Sequence, residues 1–384
     1  METRISNPAA FTRQDTKAIK GIAVLLMLFH HLAGFPDRLP ADFGGFRSLL
    51  PGFIDGGYLA DIAGSAKICV SLFFFLGGYG LYMRRKTPEF RLISEIGKLY
   101  RAYWKVFVVF VPIGLLFFAR SGEGVPPLAA RYSFESGKAL VTTVLSDFTG
   151  WSFRLNEEWW FFKSYVCLLP LGYLFLRAGE KEDNFWKALF SVFCIDILIR
   201  DLLPALVSTE LLAPVKNNVY FSSFFLLNKY SAAFFAGIVM AKYDGLCRIK
   251  QQLRTLPCCG PVCMLALLIL LWCRTFVVRG EGDIVYCVLM IPIASTLLDM
   301  ADPLKKAMAF FGGHSTNMWL THSFFCYYFL EATKIVYISS RVWVDFLILT
   351  ALSLASSIAI NGIFRLTESL FLRRKDTGIF LKTR

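Results

Sequence analysis

Long apolar segments recur along the whole chain, and they constrain its fold more than any other feature. A helix needs about 17–25 predominantly apolar residues to cross a membrane. Hydrophobic residues make up 56% of this chain and charged residues only 18%, whereas soluble domains have about 25% charged residues. The apolar windows are 18–35, 62–83, 102–119, 159–178, 185–206, 218–241, 260–278, 284–300, 308–331 and 343–371. The sequence therefore predicts an all-α fold, a polytopic membrane helical bundle of about ten transmembrane helices that forms one domain over residues 1–384.

The basic residues predict the orientation of this bundle, because Lys and Arg collect in cytoplasmic loops. Basic clusters precede the first window, follow the second, and recur at 242–254, 305–306 and 373–375. All of them fall on one side only if the weaker apolar stretch 137–153 does not cross. We therefore expect cytoplasmic N- and C-termini and an external segment at about 120–158, and leave open whether 137–153 enters the membrane.

The same clusters account for the net charge of +13 without a nucleic-acid partner, which we do not expect. The ten cysteines are scattered, lie mostly in apolar runs and form no CxxC pair. We interpret them as small apolar residues and predict neither a disulfide framework nor a bound metal. No small-residue cleavage site follows a short apolar core near the N-terminus, so we expect no cleaved signal peptide.

The first window carries three ionisable residues in the stretch KGIAVLLMLFHHL, and such residues inside membrane helices often mark function. Lys20 and His31 are eleven positions apart, which is about 16 Å or three helical turns, so both lie on one stripe of the helix. His30 is turned about 100° away, toward lipid, solvent or a partner helix. The alternatives are a histidine that only packs against a neighbour and a lysine that anchors the cytoplasmic end.

Four basic residues gather after the second window: Arg84, Arg85, Lys98 and Arg101. Lys and Arg side chains bind phosphate oxygens, and guanidinium groups do so with two hydrogen bonds. This cluster suits a phosphate-bearing ligand on the cytoplasmic side. Ordinary cytoplasmic positive charge is the simpler alternative.

Two further stretches place polar groups at or inside apolar windows. Glu158 and Trp160 lie at the start of the fourth window. Trp160 is most simply interpreted as part of an aromatic belt at the membrane surface. Glu158 is most simply a solvated surface carboxylate, and the functional alternative is that it binds a sugar hydroxyl. Asn317 and His322 lie within the otherwise apolar window near the C-terminus. They are candidates for a polar site inside the bundle.

Taken in order, these stretches resemble membrane acyltransferase family 3, the bacterial O-acyltransferases that modify carbohydrates. That family opens with a basic residue, a glycine and a histidine eleven positions on, which Lys20, Gly21 and His31 resemble. Further similar pieces are Phe73–Tyr79, the basic pair Lys98 and Arg101, Trp160-Phe161, and the set Gly312, Ser315, Trp319, Leu320 and His322. Here Lys replaces Arg twice, Gly77 stands where Ser is common, and Trp319 stands in the usual Tyr place.

The resemblance implies an acyl-CoA donor, acetyl-CoA as co-substrate, that approaches from the cytoplasm without a metal. It implies a carbohydrate acceptor, or a lipid-linked glycan precursor, on the outer face of a bacterial cell membrane. Lys20, Arg84, Arg85, Lys98 and Arg101 would hold the donor. His31 would be the general base and His322 a second catalytic histidine, with Trp160, Asn317 and Glu158 on the acceptor side. Direct transfer and an acyl-histidine intermediate both stay open.

Two other classes of protein are compatible with parts of this pattern. A secondary transporter or flippase for a small polar solute also places ionisable groups within helices. Such proteins more often carry internal repeats or matching broken helices, which the sequence does not show. A signalling or scaffold protein would not need the aligned Lys20 and His31.

Overall fold

A computed structural model describes residues 10–39, 43–47, 56–122, 125–202, 205–206, 230–277 and 282–380, with the backbone alone at 56–57 and 370–380. Within these ranges all regular structure is helical. The first seven helices are α1 (Arg13–Ala33), α2 (Gly56–Ser65), α3 (Ile68–Arg85), α4 (Leu92–Phe117), α5 (Gly137–Phe148), α6 (Trp160–Ala178) and α7 (Phe185–Ile197). They are followed by α8 (Ser231–Lys242), α9 (Gly245–Thr255), α10 (Cys259–Phe276), α11 (Asp283–Met300), α12 (Asp302–Ser323), α13 (Leu330–Val336) and α14 (Val342–Phe380).

The length and apolarity of the helices confirm a polytopic helical membrane protein. In the described part of the chain, seven segments are long and apolar enough to cross a membrane, and Ser231–Lys242 is a shorter apolar helix. The seven are Arg13–Ala33, Tyr58–Arg85, Leu92–Phe117, Glu157–Ala178, Cys259–Phe276, Asp283–Met300 and Val342–Ser369.

Three predicted windows differ from these segments. The window 185–206 contains α7, which ends at Ile197 and passes into a π-helical turn. The window 308–331 is divided, because α12 passes into a π-helical turn at Phe324–Tyr328. The window 218–241 lies partly outside the described residues. The count of ten spans therefore stays a prediction.

The chain forms two compact units, and two helices, α4 and α12, contribute residues to both. Unit 1 comprises α1–α3, α4 up to Leu99, α6–α11, and α12 up to Ser315. Unit 2 comprises Asp37–Arg47, the segment Tyr100–Glu158 and the chain from Thr316 onward.

In unit 1, glycines let pairs of helices approach each other closely. A Cβ atom on Gly21 of α1 would overlap the Met308 carbonyl of α12, and one on Gly312 would overlap the Lys17 carbonyl. Small residues at helix crossings permit this backbone contact in membrane bundles. The two glycines that the resemblance singled out at opposite ends of the sequence thus face one another across the α1–α12 crossing.

In unit 2, the stretch 137–153 forms the helix α5 along the side of α4. Tyr103 donates a hydrogen bond to the Asp147 carbonyl (2.6 Å), and Trp104 donates one to the Phe148 carbonyl (2.9 Å). The 12 residues of α5 extend about 18 Å, too short for a hydrocarbon layer of about 30 Å. The helix α5 by itself is therefore too short to cross, and the location of 120–158 on the outer side stays a prediction.

Candidate active site

Helix α1 carries Lys20 near its start and His31 near its end, and its N-terminus is closed by local hydrogen bonds. The Thr12 hydroxyl accepts a hydrogen bond from the Asp15 amide, and the Asp15 carboxylate accepts one from the Thr12 amide. This capping box satisfies two amides that the helix leaves without internal partners. Lys20 and His31 are both half-buried in the described structure.

The two adjacent histidines of α1 have different surroundings. His30 is buried, and its Nδ1 atom lies 2.8 Å from the Ala63 carbonyl of α2. A carbonyl can only accept, so Nδ1 carries the proton in this hydrogen bond. His31 stacks on Phe35 with the ring centroids 5.5 Å apart. Among the three surroundings left open for His30, the structure shows a partner helix.

A cluster of four charges holds the start of α1 in place. Asp15 pairs with Lys305 at 2.5 Å and with Lys250 at 3.5 Å. Both lysines also pair with Asp299, and Ser295 donates to Asp15 at 3.0 Å. Asp15 and Lys250 are each 1% exposed, so the loss of either would leave buried charges without a partner. Sequence reasoning missed this cluster, because its members come from α1, α9, α11 and α12.

Three of the predicted donor residues lie together in unit 1, around a carboxylate that the prediction missed. Glu95 is buried, and it pairs with Arg84 at 2.5 Å and Lys98 at 2.6 Å. Lys20 lies close enough to Arg84 for the two charges to interact. Within the described residues, Lys20 pairs with no carboxylate. We call Lys20, Arg84, Glu95 and Lys98 the α3–α4 cationic cluster; it has two more positive than negative charges.

Tyr165 of α6 completes the surroundings of Arg84. The Tyr165 hydroxyl lies close enough to the Arg84 guanidinium to interact with it, and the Tyr165 ring occupies the space that a side chain at Gly77 would need. A larger residue at Gly77 would displace this ring and with it a partner of Arg84. The glycine-rich stretch of α3 thus makes room for the ring beside the cluster.

The other two predicted donor residues have different surroundings. Arg85 pairs with Glu180 at 3.2 Å and lies over the Tyr173 ring at 5.6 Å. Arg101 is exposed on α4 and belongs to unit 2.

Trp160 begins α6 in unit 1 and lies in an aromatic group. Its ring centroid is 5.5 Å from that of Tyr230, which stacks in turn on Phe74 at 5.6 Å. Both Trp160 and Tyr230 are half-buried. A half-buried aromatic face of this kind suits the apolar side of a sugar ring as well as a lipid interface.

In unit 2, Glu158 is a buried and fully engaged carboxylate, and this excludes the interpretation as a solvated surface group. It pairs with Arg38 at 2.7 Å and accepts a hydrogen bond from the Tyr328 hydroxyl at 2.6 Å. Burial opposes the charge on Arg38, but the Glu158 carboxylate outweighs it and raises the pKa of Arg38 above its ordinary value. The neighbouring Glu157 is the exposed member of the pair, at 46%, and contacts Arg131.

His322 lies at the buried end of α12 in the same unit. Its Nδ1 atom is 2.6 Å from the Trp319 carbonyl, so Nδ1 carries the proton and a neutral ring keeps its lone pair on Nε2. The next residue, Ser323, exchanges hydrogen bonds with Asn156 at 2.8 and 3.1 Å. Asn317 donates to Asn361 of α14 at 3.1 Å.

Asn156 is a second residue that the sequence prediction missed. Its side chain is fully buried, and besides Ser323 it contacts the Glu158 amide at 3.1 Å. It therefore ties the segment before α6 to the end of α12. Its position in the sequence could have indicated it, because Asn156 directly precedes the two glutamates and is a third polar residue at the start of an apolar window.

The described residues contain no group of three or more His, Cys, Asp or Glu side chains that could hold a metal ion. Residues 15–362 match the family model described as an acyltransferase domain, and this match includes every candidate residue from Lys20 to His322. No individually curated protein matches the chain.

Proposed function

The chain belongs to acyltransferase family 3, and on this basis we propose that it is an integral-membrane O-acyltransferase. In this proposal it moves an acetyl group from acetyl-CoA to a hydroxyl of a carbohydrate or a surface-glycan precursor. The acceptor would stand on the outer face of a bacterial cell membrane and the donor would come from the cytoplasm. The observation that carries the donor assignment is the α3–α4 cationic cluster.

The charge of this cluster suits the phosphates of coenzyme A. Glu95 holds Arg84 and Lys98 in place but cancels only one positive charge. Arg84 is 44% exposed and Lys98 56%, so both keep access to a ligand from solvent. Lys20 adds a charge that no described carboxylate neutralises. Charge-assisted hydrogen bonds to phosphate are about twice as strong as neutral ones.

His31 is our choice of general base. A hydroxyl attacks the thioester carbonyl while the imidazole takes its proton; the carbon–sulfur bond then breaks and the proton passes to the departing thiolate. An imidazole suits this step because it titrates near neutral pH. Lys20 and His31 are about 16 Å apart along α1, so the pantetheine arm must extend over that length.

Acceptor-binding residues are proposed separately in each unit: Trp160 in unit 1, and Glu158, Asn317 and His322 in unit 2. Trp160 offers a half-buried aromatic face. The tautomer of His322 leaves Nε2 able to accept a proton or a hydroxyl hydrogen bond. Glu158 is held by a buried hydrogen bond and Asn317 by a partly buried one, which keeps their polar groups in fixed positions.

The test is acetyl transfer and acetyl-CoA hydrolysis by the purified protein in detergent. We expect His31→Ala to lower kcat by about 100-fold or more, the usual contribution of a general base, with acetyl-CoA binding retained. His314→Ala is the matched control, because it removes a histidine that contacts Phe310 and has no proposed role.

Full transfer by the His31 variant would refute the assignment of the base. Solute transport by the wild-type protein in vesicles, without any acyl turnover, would instead support the transporter or flippase alternative.

A further inference from the structure

Arg85 and its neighbours line a cavity in unit 1 that the proposed reaction does not use. The cavity has a volume of about 380 Å³ and is lined by Tyr82, Arg85, Lys86, Leu176, Glu180 and Lys242. These residues come from the ends of α3, α6 and α8 and the turns that follow them. The positive-inside pattern puts this end of the helices at the cytoplasmic surface. We call it the Arg85 cavity.

The Arg85 cavity has an excess of positive charge. Its three cations face one carboxylate, and that carboxylate, Glu180, is 66% exposed and contacts Arg85 at 3.2 Å. Lys86 lies over the Tyr82 ring at 4.5 Å, which leaves its charge in place. A partly enclosed group of cations of this kind attracts an anion.

The hydrogen bonds of Lys242 go to neutral groups. Its ammonium donates to the backbone carbonyls of Gly179 and Glu182 in the turn after α6. These acceptors are neutral, so they orient the ammonium without cancelling it. The Lys242 ammonium is therefore held in a fixed position on one side of the cavity, beside the end of α6.

An apolar groove of about 480 Å³ adjoins this cavity and shares Leu176 and Lys242 with it. The groove runs between α6, α7 and α8, and most of its lining is apolar, including Phe175, Ala188, Phe190, Ile195 and Ile238. Glu182 also lines it, so the cavity and the groove together have three cations and two carboxylates. Phe190 is 65% exposed. A cationic cavity thus continues into an apolar groove, with Lys242 at the boundary.

We propose that the Arg85 cavity and this groove together bind one anionic phospholipid of the cytoplasmic leaflet. The phosphate lies among Arg85, Lys86 and Lys242, and an acyl chain lies in the groove along α7. Basic pockets between membrane helices on the cytoplasmic side are suited to anionic headgroups. A free phosphate would use only the cavity and a nucleotide has no long alkyl chain, so the groove distinguishes the lipid from both.

The site is independent of the proposed donor site. Arg84 contacts Glu95 and Tyr165, whereas Arg85, the next residue, contacts Glu180 and Tyr173. The bound lipid would join the ends of α6 and α8, both of which contribute to the cavity and the groove.

The experiment is native mass spectrometry of the full chain in detergent, with dioleoyl phosphatidylglycerol or dioleoyl phosphatidylcholine at equal concentration. We expect the wild-type protein to retain phosphatidylglycerol at least fivefold more than phosphatidylcholine. Arg85→Gln with Lys86→Gln should abolish this preference. The matched control is Arg177→Gln with Lys181→Gln, which removes two exposed positive charges near the end of α6 that do not line the cavity.

A second pair of variants tests the chain-binding groove without touching any charge. Phe190→Ser should lower retention of phosphatidylglycerol at least threefold, whereas Phe193→Ser, on the same helix and 58% exposed but outside the groove, should not. Equal retention of both lipids by the wild type, or unchanged retention in the Arg85 double variant, would overturn the proposal. Displacement of phosphatidylglycerol by millimolar inorganic phosphate, with no effect of Phe190→Ser, would also overturn it. If the double variant lost only acetyl-CoA binding, the cavity would belong to the donor site instead.

Discussion

Adjacent residues of the same type have different surroundings at several places in this protein. Arg84 contacts a buried carboxylate and a tyrosine, while Arg85 lines a separate cavity. Glu158 is buried and Glu157 is exposed. Because a helix turns by about 100° per residue, neighbours in sequence point in different directions. In each pair, a substitution of one residue can therefore be compared with the same substitution of its neighbour.

Arg84→Gln should weaken donor binding. A hydrogen bond to a charged group contributes about 1.5–3 kcal/mol, so we expect KM for acetyl-CoA to rise about tenfold or more with little change in kcat. Steady-state kinetics over a range of acetyl-CoA concentrations measures both constants. Arg91→Gln, which removes an exposed charge from the same segment, should behave like the wild type; an equal rise in KM there would mean that general charge, and not the cluster, binds the donor.

Glu158→Gln should destabilise unit 2. The change removes the closer of the two carboxylates that contact Arg38, leaving Glu157 at 3.8 Å, and it weakens the acceptor of the Tyr328 hydroxyl. The expected cost is about 1–3 kcal/mol. Thermal unfolding in detergent, followed by intrinsic tryptophan fluorescence, measures the loss. Glu157→Gln removes a 46% exposed carboxylate from its pairs with Arg131 and, at 3.8 Å, with Arg38, and it should cost less than about 1 kcal/mol. Similar melting temperatures for the two variants would contradict the importance of burial.

At the scale of elements, the crossing of α1 and α12 determines where Lys20 and His31 lie. Gly21 and Gly312 bring the two backbones into contact, and the charges around Asp15 join the start of α1 to α9, α11 and α12. A buried charge network needs each of its members. Together these contacts hold α1 in one position along α12.

Gly312→Ala should disturb this crossing. Its new Cβ atom would overlap the Lys17 carbonyl, and forcing extra volume into a packed interface costs about 1–3 kcal/mol. We expect a lower melting temperature and lower acetyl transfer, because α1 would shift together with its proposed catalytic residues. Gly313→Ala is the control: its Cβ atom meets nothing within 4 Å, and an unchanged or higher melting temperature is expected, since alanine favours helices over glycine. Equal behaviour of the two variants would contradict the proposed contact.

At the scale of the whole molecule, the distribution of basic residues predicts which surface faces the cytoplasm. Lys138 belongs to the predicted external segment and Lys86 follows α3 on the predicted cytoplasmic side, and both side chains are exposed. We expect a membrane-impermeant amine reagent to modify Lys138 but not Lys86 in sealed cells, with both modified after permeabilisation. Peptide mass spectrometry identifies the modified lysines. Modification of Lys86 alone in sealed cells would show that the protein has the opposite orientation.

The sequence by itself determined the class of the fold and the membrane location. Hydropathy acts over about 20 consecutive residues, so seven of the predicted windows correspond to long apolar segments in the structure. The alignment of Lys20 with His31 was also visible, because their spacing along one helix follows from its 3.6-residue turn. Gly21 and Gly312 were singled out by the family resemblance.

The tertiary structure alone decided which charges meet. Asp15 and Lys305 are far apart in the chain yet form a buried pair, and Glu95 of α4 pairs with Arg84 of α3. It also separated Arg85 from Arg84 and buried Glu158 while leaving Glu157 exposed. A charge acts on its neighbours in space through distance and burial, and these two quantities arise only when the helices pack.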